Sequence, residues 1–149
     1  MHQATETNWL DACEIARIRR GFGAVAADAN HFTASFYARL FDLAPTLRPL
    51  FPDDLSNQRD KLKDMLAMLV AGLDRPVALR PALAMLGDRH RSYGVVKTDF
   101  IVVGQALIDT LAAHLGEQFG PADRSAWTAL YGRITAIMTM GTAHAVAAA

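Results

Sequence analysis

His90 is the residue whose chemistry most needs explaining. In the stretch ALRPALAMLGDRHRSYGVVKTDF, from Ala78 to Phe100, Leu79, Leu83, Leu86 and His90 recur at offsets of four, seven and eleven. The imidazole therefore projects from the same helix side as the leucines. Leu86, four residues back, offers a carbonyl within reach of one ring nitrogen. Such a bond fixes the tautomer and leaves the other nitrogen as a neutral metal ligand. Taken alone, the position is better explained by a core histidine satisfied by a backbone carbonyl. One histidine does not hold a bare ion, but it suffices as the axial ligand of a haem.

Tyr37 and Gln58 are the other two polar side chains on apolar helix faces, and they lie on different helices from His90. Buried without a partner, each would cost about 1–3 kcal/mol, so a polar group between them is expected. A diatomic ligand on iron meets that description. A tyrosine hydroxyl or glutamine amide would stabilise it by roughly 1.5–3 kcal/mol per charge-assisted bond, about ten- to a hundredfold in affinity. Taken separately, Tyr37 also reads as a core tyrosine with its hydroxyl at the surface, and Gln58 as an exposed side chain. His2, His31, His114 and His144 have no polar partner at an interpretable spacing.

The elements that must position these residues read as helices throughout. Apolar residues recur at helical spacing, and no strict alternation runs long enough for a half-buried strand, so the fold class is all-α. Asp11 with Glu14 is expected to cap a first helix burying Ile15, Ile18, Phe22 and Val25, after a flexible extension over residues 1–10. A second helix carries Phe32, Phe36, Tyr37, Leu40 and Phe41, and Pro45 opens a helical turn ending near Phe51. Ser56 is the expected cap of a third, with Gln58, Leu62, Met65, Leu66 and Leu69 on one face until Gly72 and Pro76 end it. After the His90 helix, Thr98 and Asp99 start one carrying Phe100, Val103, Leu107, Leu111 and Leu115. Pro121 starts the last, with Trp127, Leu130, Tyr131, Ile134 and Met138 inward.

Composition narrows the function. The 149 residues are 52% hydrophobic, enough for one domain with a sizeable core, taken as 11–149. Fifteen basic residues balance fifteen acidic ones, so no field draws nucleic acid or an anionic membrane. Cys13 stands alone, which excludes an internal disulfide and cysteine-based zinc or iron–sulfur sites. The N-terminus lacks the pattern of a secretory signal, and Ile134 to Ala149 falls short of the roughly 20 apolar residues of a spanning helix. A cytoplasmic protein without a membrane segment is the expectation.

The segments FYARLFDLAPTLRPLF, SNQRDKLKDML, LGDRHRSYGVVKTDFIVVGQAL and AWTALYGRITAIM, in that order, resemble the globin family. The likeness covers roughly Leu10 to Gly141 and is strongest to bacterial single-domain globins and the haem domain of flavohaemoglobins. It implies a three-over-three helical sandwich around haem b (iron protoporphyrin IX), lying between the Gln58 and His90 helices. The matching positions make His90 the proximal iron ligand, Phe51 the phenylalanine on the haem face, and Tyr37 and Gln58 the distal pair. Leu62 matches the apolar residue over the ligand site. Lys61 matches a position that pairs with a haem propionate in many globins, although an exposed solvated lysine accounts for it too. Leu86 lies against the haem, Tyr93 and Val95 match positions near the proximal side, and Phe100, Tyr131 and Met138 are expected to line the pocket.

The resemblance also has breaks. Flavohaemoglobins convert nitric oxide and oxygen to nitrate and continue into reductase domains, whereas this sequence holds no G-x-G-x-x-G nucleotide loop and reads as a single domain. Phe100 stands where those proteins place a tyrosine near the proximal histidine, and no Asp or Glu follows Asp123 to supply their last-helix carboxylate. An imidazole bound only to backbone pushes less electron density into iron, which disfavours peroxidase-like cleavage. Gln58 in place of a distal histidine disfavours a bis-histidine state, leaving water or Tyr37 as the sixth ligand of ferric iron. Three functions follow in order. The first is reversible binding of oxygen, and of nitric oxide and carbon monoxide, at ferrous iron. The second is a nitric oxide dioxygenase using a separate reductase. The third is a haem-free sensory or interaction domain.

Overall fold

Asp11 starts the first helix in both directions at once. Its Oδ1 accepts the Glu14 amide at 2.7 Å while Glu14 Oε1 accepts the Asp11 amide at 2.9 Å, a capping box that opens α1 (Ala12–Ala27). In the computed structural model, which describes residues 9–92 and 95–148, the rest of the chain follows as helices with short joints. A single residue, Asp28, separates α1 from α2 (Ala29–Leu43). Pro45, with φ preset for the first helical position, begins a 3-10 turn over Pro45–Leu50. Beyond the loop at Phe51 come α3 (Ser56–Ala71) and α4 (Pro76–Ser92), then α5 (Lys97–Leu115), a 3-10 turn over Gly116–Gln118, and α6 (Pro121–Ala148).

Two expected starts differ in detail. Ser56 is the first helical residue of α3 and not its cap. The Asp54 carboxylate does the capping work, accepting the Ser56 amide at 3.0 Å and its hydroxyl at 2.6 Å. Helix α5 begins at Lys97, earlier than Thr98, because Asp99 Oδ2 reaches back to the Val96 amide at 2.9 Å.

The helices pack as two layers of three. α1, α3 and α4 lie over α2, α5 and α6, with α4 against α6, α1 against both α5 and α6, and α3 against α2. Trp127, Phe32, Ile18, Leu69, Leu73, Leu83 and Leu111 are fully buried between them, each worth about 1.5–3 kcal/mol or more of apolar transfer. Helix α5 is apolar and long enough to cross a membrane by length and composition. Its Ala106, Leu107, Ile108, Leu111 and Leu115 are buried against its neighbours, which is what a central core helix requires.

The expectation of a loose segment over residues 1–10 fails at its last two positions. Leu10 is 2% exposed, and the Trp9 indole donates to the Leu73 carbonyl at 2.9 Å while the Trp9 carbonyl accepts from Arg133 at 3.1 Å. An apolar pair seals the end of the core there before α1 begins.

Candidate haem-binding site

The described candidates gather in two clusters. In the first, Tyr37 enters from the middle of α2 with 7% of its surface exposed, and its ring meets Phe36, Phe51 and Phe41 at centroid distances of 5.1, 5.8 and 6.1 Å. Its hydroxyl donates to the main-chain carbonyl of Gln58, in the first turn of α3, at 3.3 Å. The proposed need for a polar group between Tyr37 and the Gln58 side chain is therefore met, on the tyrosine's side, by backbone. Burial pushes the Tyr37 phenol up to about 12, so it stays a neutral donor across the physiological range. Leu62 is half-buried one turn beyond Gln58, and Lys61 is exposed.

Phe51 is held by Arg48, whose part neither residue type nor spacing announces. Arg48 Nη1 donates to the carbonyls of Phe51 and Pro52 at 3.2 and 3.0 Å, its Nη2 to that of Asp53 at 3.1 Å, and its guanidinium lies over the Phe41 ring at 5.2 Å. One side chain thus knots the loop that presents Phe51. The adjoining proline and aspartates, typical of loops, gave no hint of it.

The second cluster surrounds His90. Its Nδ1 lies 2.7 Å from the Leu86 carbonyl, an acceptor only, so Nδ1 carries the proton and the lone pair is on Nε2. The Phe100 ring stands 6.0 Å from the imidazole at 42°. The Val95 amide returns to the His90 carbonyl at 3.1 Å, closing the exit from α4, and Val95 is half-buried there. Tyr93 lies outside the described residues. The Tyr131 hydroxyl, on α6, donates to the Phe100 carbonyl. Met138 is buried further along α6, where a Cβ on Gly87 of α4 would run into its main-chain carbonyl. This close approach sets α4 directly on α6.

These residues fit a haem. Phe41, Phe51, Leu62, Leu86, Phe100 and Val103 pack against the core yet stay only partly covered. Their apolar surface would gain about 25 cal/mol per Å² from a flat hydrophobic partner. Among the described residues no group of three His, Cys, Asp or Glu side chains is placed to hold a bare ion, whereas a porphyrin iron would need one protein ligand, which the unprotonated Nε2 of His90 would supply.

An all-helical, three-over-three sandwich carrying a histidine with an unprotonated ring nitrogen and partly covered apolar side chains defines the class of protein. The family model described as Globin matches residues 34–138, and the chain belongs to the globin family. It is also similar to a flavohemoprotein of Deinococcus radiodurans, 31% identical over 119 residues covering 77% of this chain. The match spans 29% of that relative's length. The likeness is thus to the globin part of such proteins.

Proposed function

We propose that this globin holds haem b with His90 as the axial ligand and reversibly binds a diatomic gas, oxygen foremost, with nitric oxide and carbon monoxide as alternatives. The observation that carries the reading is the 2.7 Å bond from His90 Nδ1 to the Leu86 carbonyl, because it turns the unprotonated nitrogen into the available ligand. When bound, ferrous haem supplies the open coordination position that takes the gas. Tyr37 supplies a hydroxyl that burial keeps protonated, and Gln58 lies half-buried beside it on α3. Phe51 and Leu62 exclude water from that side, and Phe100, Met138 and Leu86 do so around His90.

The decisive experiment is haem reconstitution followed through the Soret band. Wild type should give a five-coordinate ferrous spectrum that converts on adding oxygen or carbon monoxide. His90→Gly should lose the iron–imidazole bond and regain it with added imidazole. Retention of an unchanged coordination state in His90→Gly would sink the assignment, and absence of any Soret band would favour the haem-free alternative.

A second reading is favoured by the flavohemoprotein relative: a nitric oxide dioxygenase fed by a separate reductase. Sustained nitrate formation on adding a reductase and its nicotinamide donor supports it. A single turnover followed by arrest leaves reversible binding as the function.

A further inference from the structure

No Asp or Glu follows Asp123 in the sequence, and a phenylalanine stands beside the His90 ring. The structure shows what anchors the phenylalanine. Tyr131, half-buried on α6, donates its hydroxyl hydrogen to the carbonyl of Phe100 in the first turn of α5. Burial holds this phenol well above its ordinary pKa, partly offset by the Gly104 amide. Gly104 is what allows the approach. A Cβ there would lie 2.5 Å from Cε2 and 2.9 Å from Cδ2 of Tyr131. Any other residue at 104 would force the ring away from the helix.

The contact fixes the first turn of α5 against α6, and Phe100 leaves that turn to meet the His90 ring at 6.0 Å and 42°. His90 Nδ1 is tied to the Leu86 carbonyl, and the His90 carbonyl accepts the Val95 amide. The imidazole is therefore held by its bond to Leu86 and has the Phe100 ring as its aromatic neighbour. Leu86 belongs to the same helix as His90 and moves with it. Phe100 does not, so the setting of the ring relative to the rest of the molecule depends on what holds Phe100.

We propose that Tyr131 is a positioning residue for the proximal ligand, setting the orientation of the His90 imidazole through Phe100 from a pocket made by Gly104. The inference rests on His90 ligating haem iron. It assigns to α6 a neutral, hydrogen-bonded means of steering the ligand in place of a charged one.

The test is the iron–histidine stretching band of the ferrous, haem-loaded protein, read by resonance Raman on wild type, Tyr131→Phe, Phe100→Leu and the double variant. Tyr131→Phe should shift and broaden the band while haem content and far-ultraviolet helicity stay at wild-type levels. Phe100→Leu should shift it as well, and the double variant should shift it no further than Phe100→Leu alone, because both changes act along one route. A Tyr131→Phe protein that melts earlier but keeps the wild-type band overturns the proposal, as does a double variant whose shift is the sum of the two. Should Tyr131→Phe fail to fold, Phe100→Leu with an unshifted band overturns it equally. Absence of the band in wild type would instead sink the haem ligation on which the inference rests.

Discussion

Tyr37 gives its hydroxyl hydrogen to the main-chain carbonyl of Gln58, 3.3 Å away, and not to the side-chain amide of that residue. A hydroxyl has one hydrogen to give. To serve a bound gas carrying partial negative charge, Tyr37 must release a neutral bond worth about 0.5–1.5 kcal/mol for a charge-assisted one worth about 1.5–3 kcal/mol. The net stabilisation is about 1–1.5 kcal/mol. Tyr37→Phe should accordingly speed oxygen dissociation about tenfold, at the low end of the range that residue types alone suggest, as stopped-flow displacement by carbon monoxide will measure.

Alkaline stability should carry the signature of the same side chain. The Tyr37 phenol is raised from 10.0 to about 12 by burial, and burial raises Tyr131 as well. With the folded pKa above the unfolded one, the stabilisation is complete below pH 10 and is lost as the pH climbs from 10 towards 12, where only the unfolded chain ionises freely. For Tyr37 that loss is about 3 kcal/mol. Melting temperatures should fall steeply over this window in wild type and less steeply in Tyr37→Phe. Phenolate absorbance should show Tyr37 titrating only late in the window, and Tyr131 beyond it or on unfolding.

Much of this molecule can be read from periodicity; a few misses are local, such as the Arg48 knot and the Asp54 cap, and the larger ones share one cause. The His90 bond to Leu86 and the Asp11–Glu14 cap both lie within one helical turn, so spacing displays them. The two layers come from the family resemblance, because apolar spacing marks a buried face on each helix without naming the helix it packs on. What spacing does not display is a partner distant in the chain. Trp9 and Leu10 look like a loose end until Leu73, sixty-four residues on, accepts the indole hydrogen. The Tyr37 acceptor is a carbonyl, which every residue possesses and no residue type announces. Gly87 and Gly104 look like ordinary helix-weakening glycines in sequence. Only the crossing of α6 over α4 and α5 shows that a Cβ has no room at either.

Asp123 should make the protein acid-sensitive in a defined way. Its carboxylate, at the start of α6, is 9% exposed. Oδ1 accepts from Arg17 at 3.2 Å and Arg20 at 2.9 Å, and Oδ2 accepts the Gly120 amide at 3.0 Å. Burial raises its pKa, but the Gly120 amide and the two guanidinium groups together outweigh that and hold it below the usual carboxylate value. With the folded pKa depressed, the stabilisation is present above about pH 4 and disappears as the pH falls through the folded value. Asp123→Ala should cost about 1–3 kcal/mol at neutral pH, seen in urea denaturation, and the deficit against wild type should shrink in acid. A deficit that stays constant down to pH 2 would assign the loss to packing and not to charge.

Glycines with and without room for a Cβ give a matched pair that links packing to the site. Gly87 and Gly23 both lie inside helices, where glycine costs about 0.5–1 kcal/mol relative to alanine. A Cβ at Gly23 meets nothing within 4 Å, so Gly23→Ala should stabilise the protein by roughly that amount. A Cβ at Gly87 collides with main-chain atoms of Met138, which have no rotamer by which to yield. α4 must therefore lift from α6, at a cost of about 1–3 kcal/mol. Because His90 leaves the same helix one turn later, the lift should also weaken haem retention. Gly87→Ala is expected to melt earlier and to lose haem faster to apomyoglobin, while Gly23→Ala melts later and retains haem at the wild-type rate. Equal haem loss from the two variants would show that the separation of α4 and α6 does not govern the site.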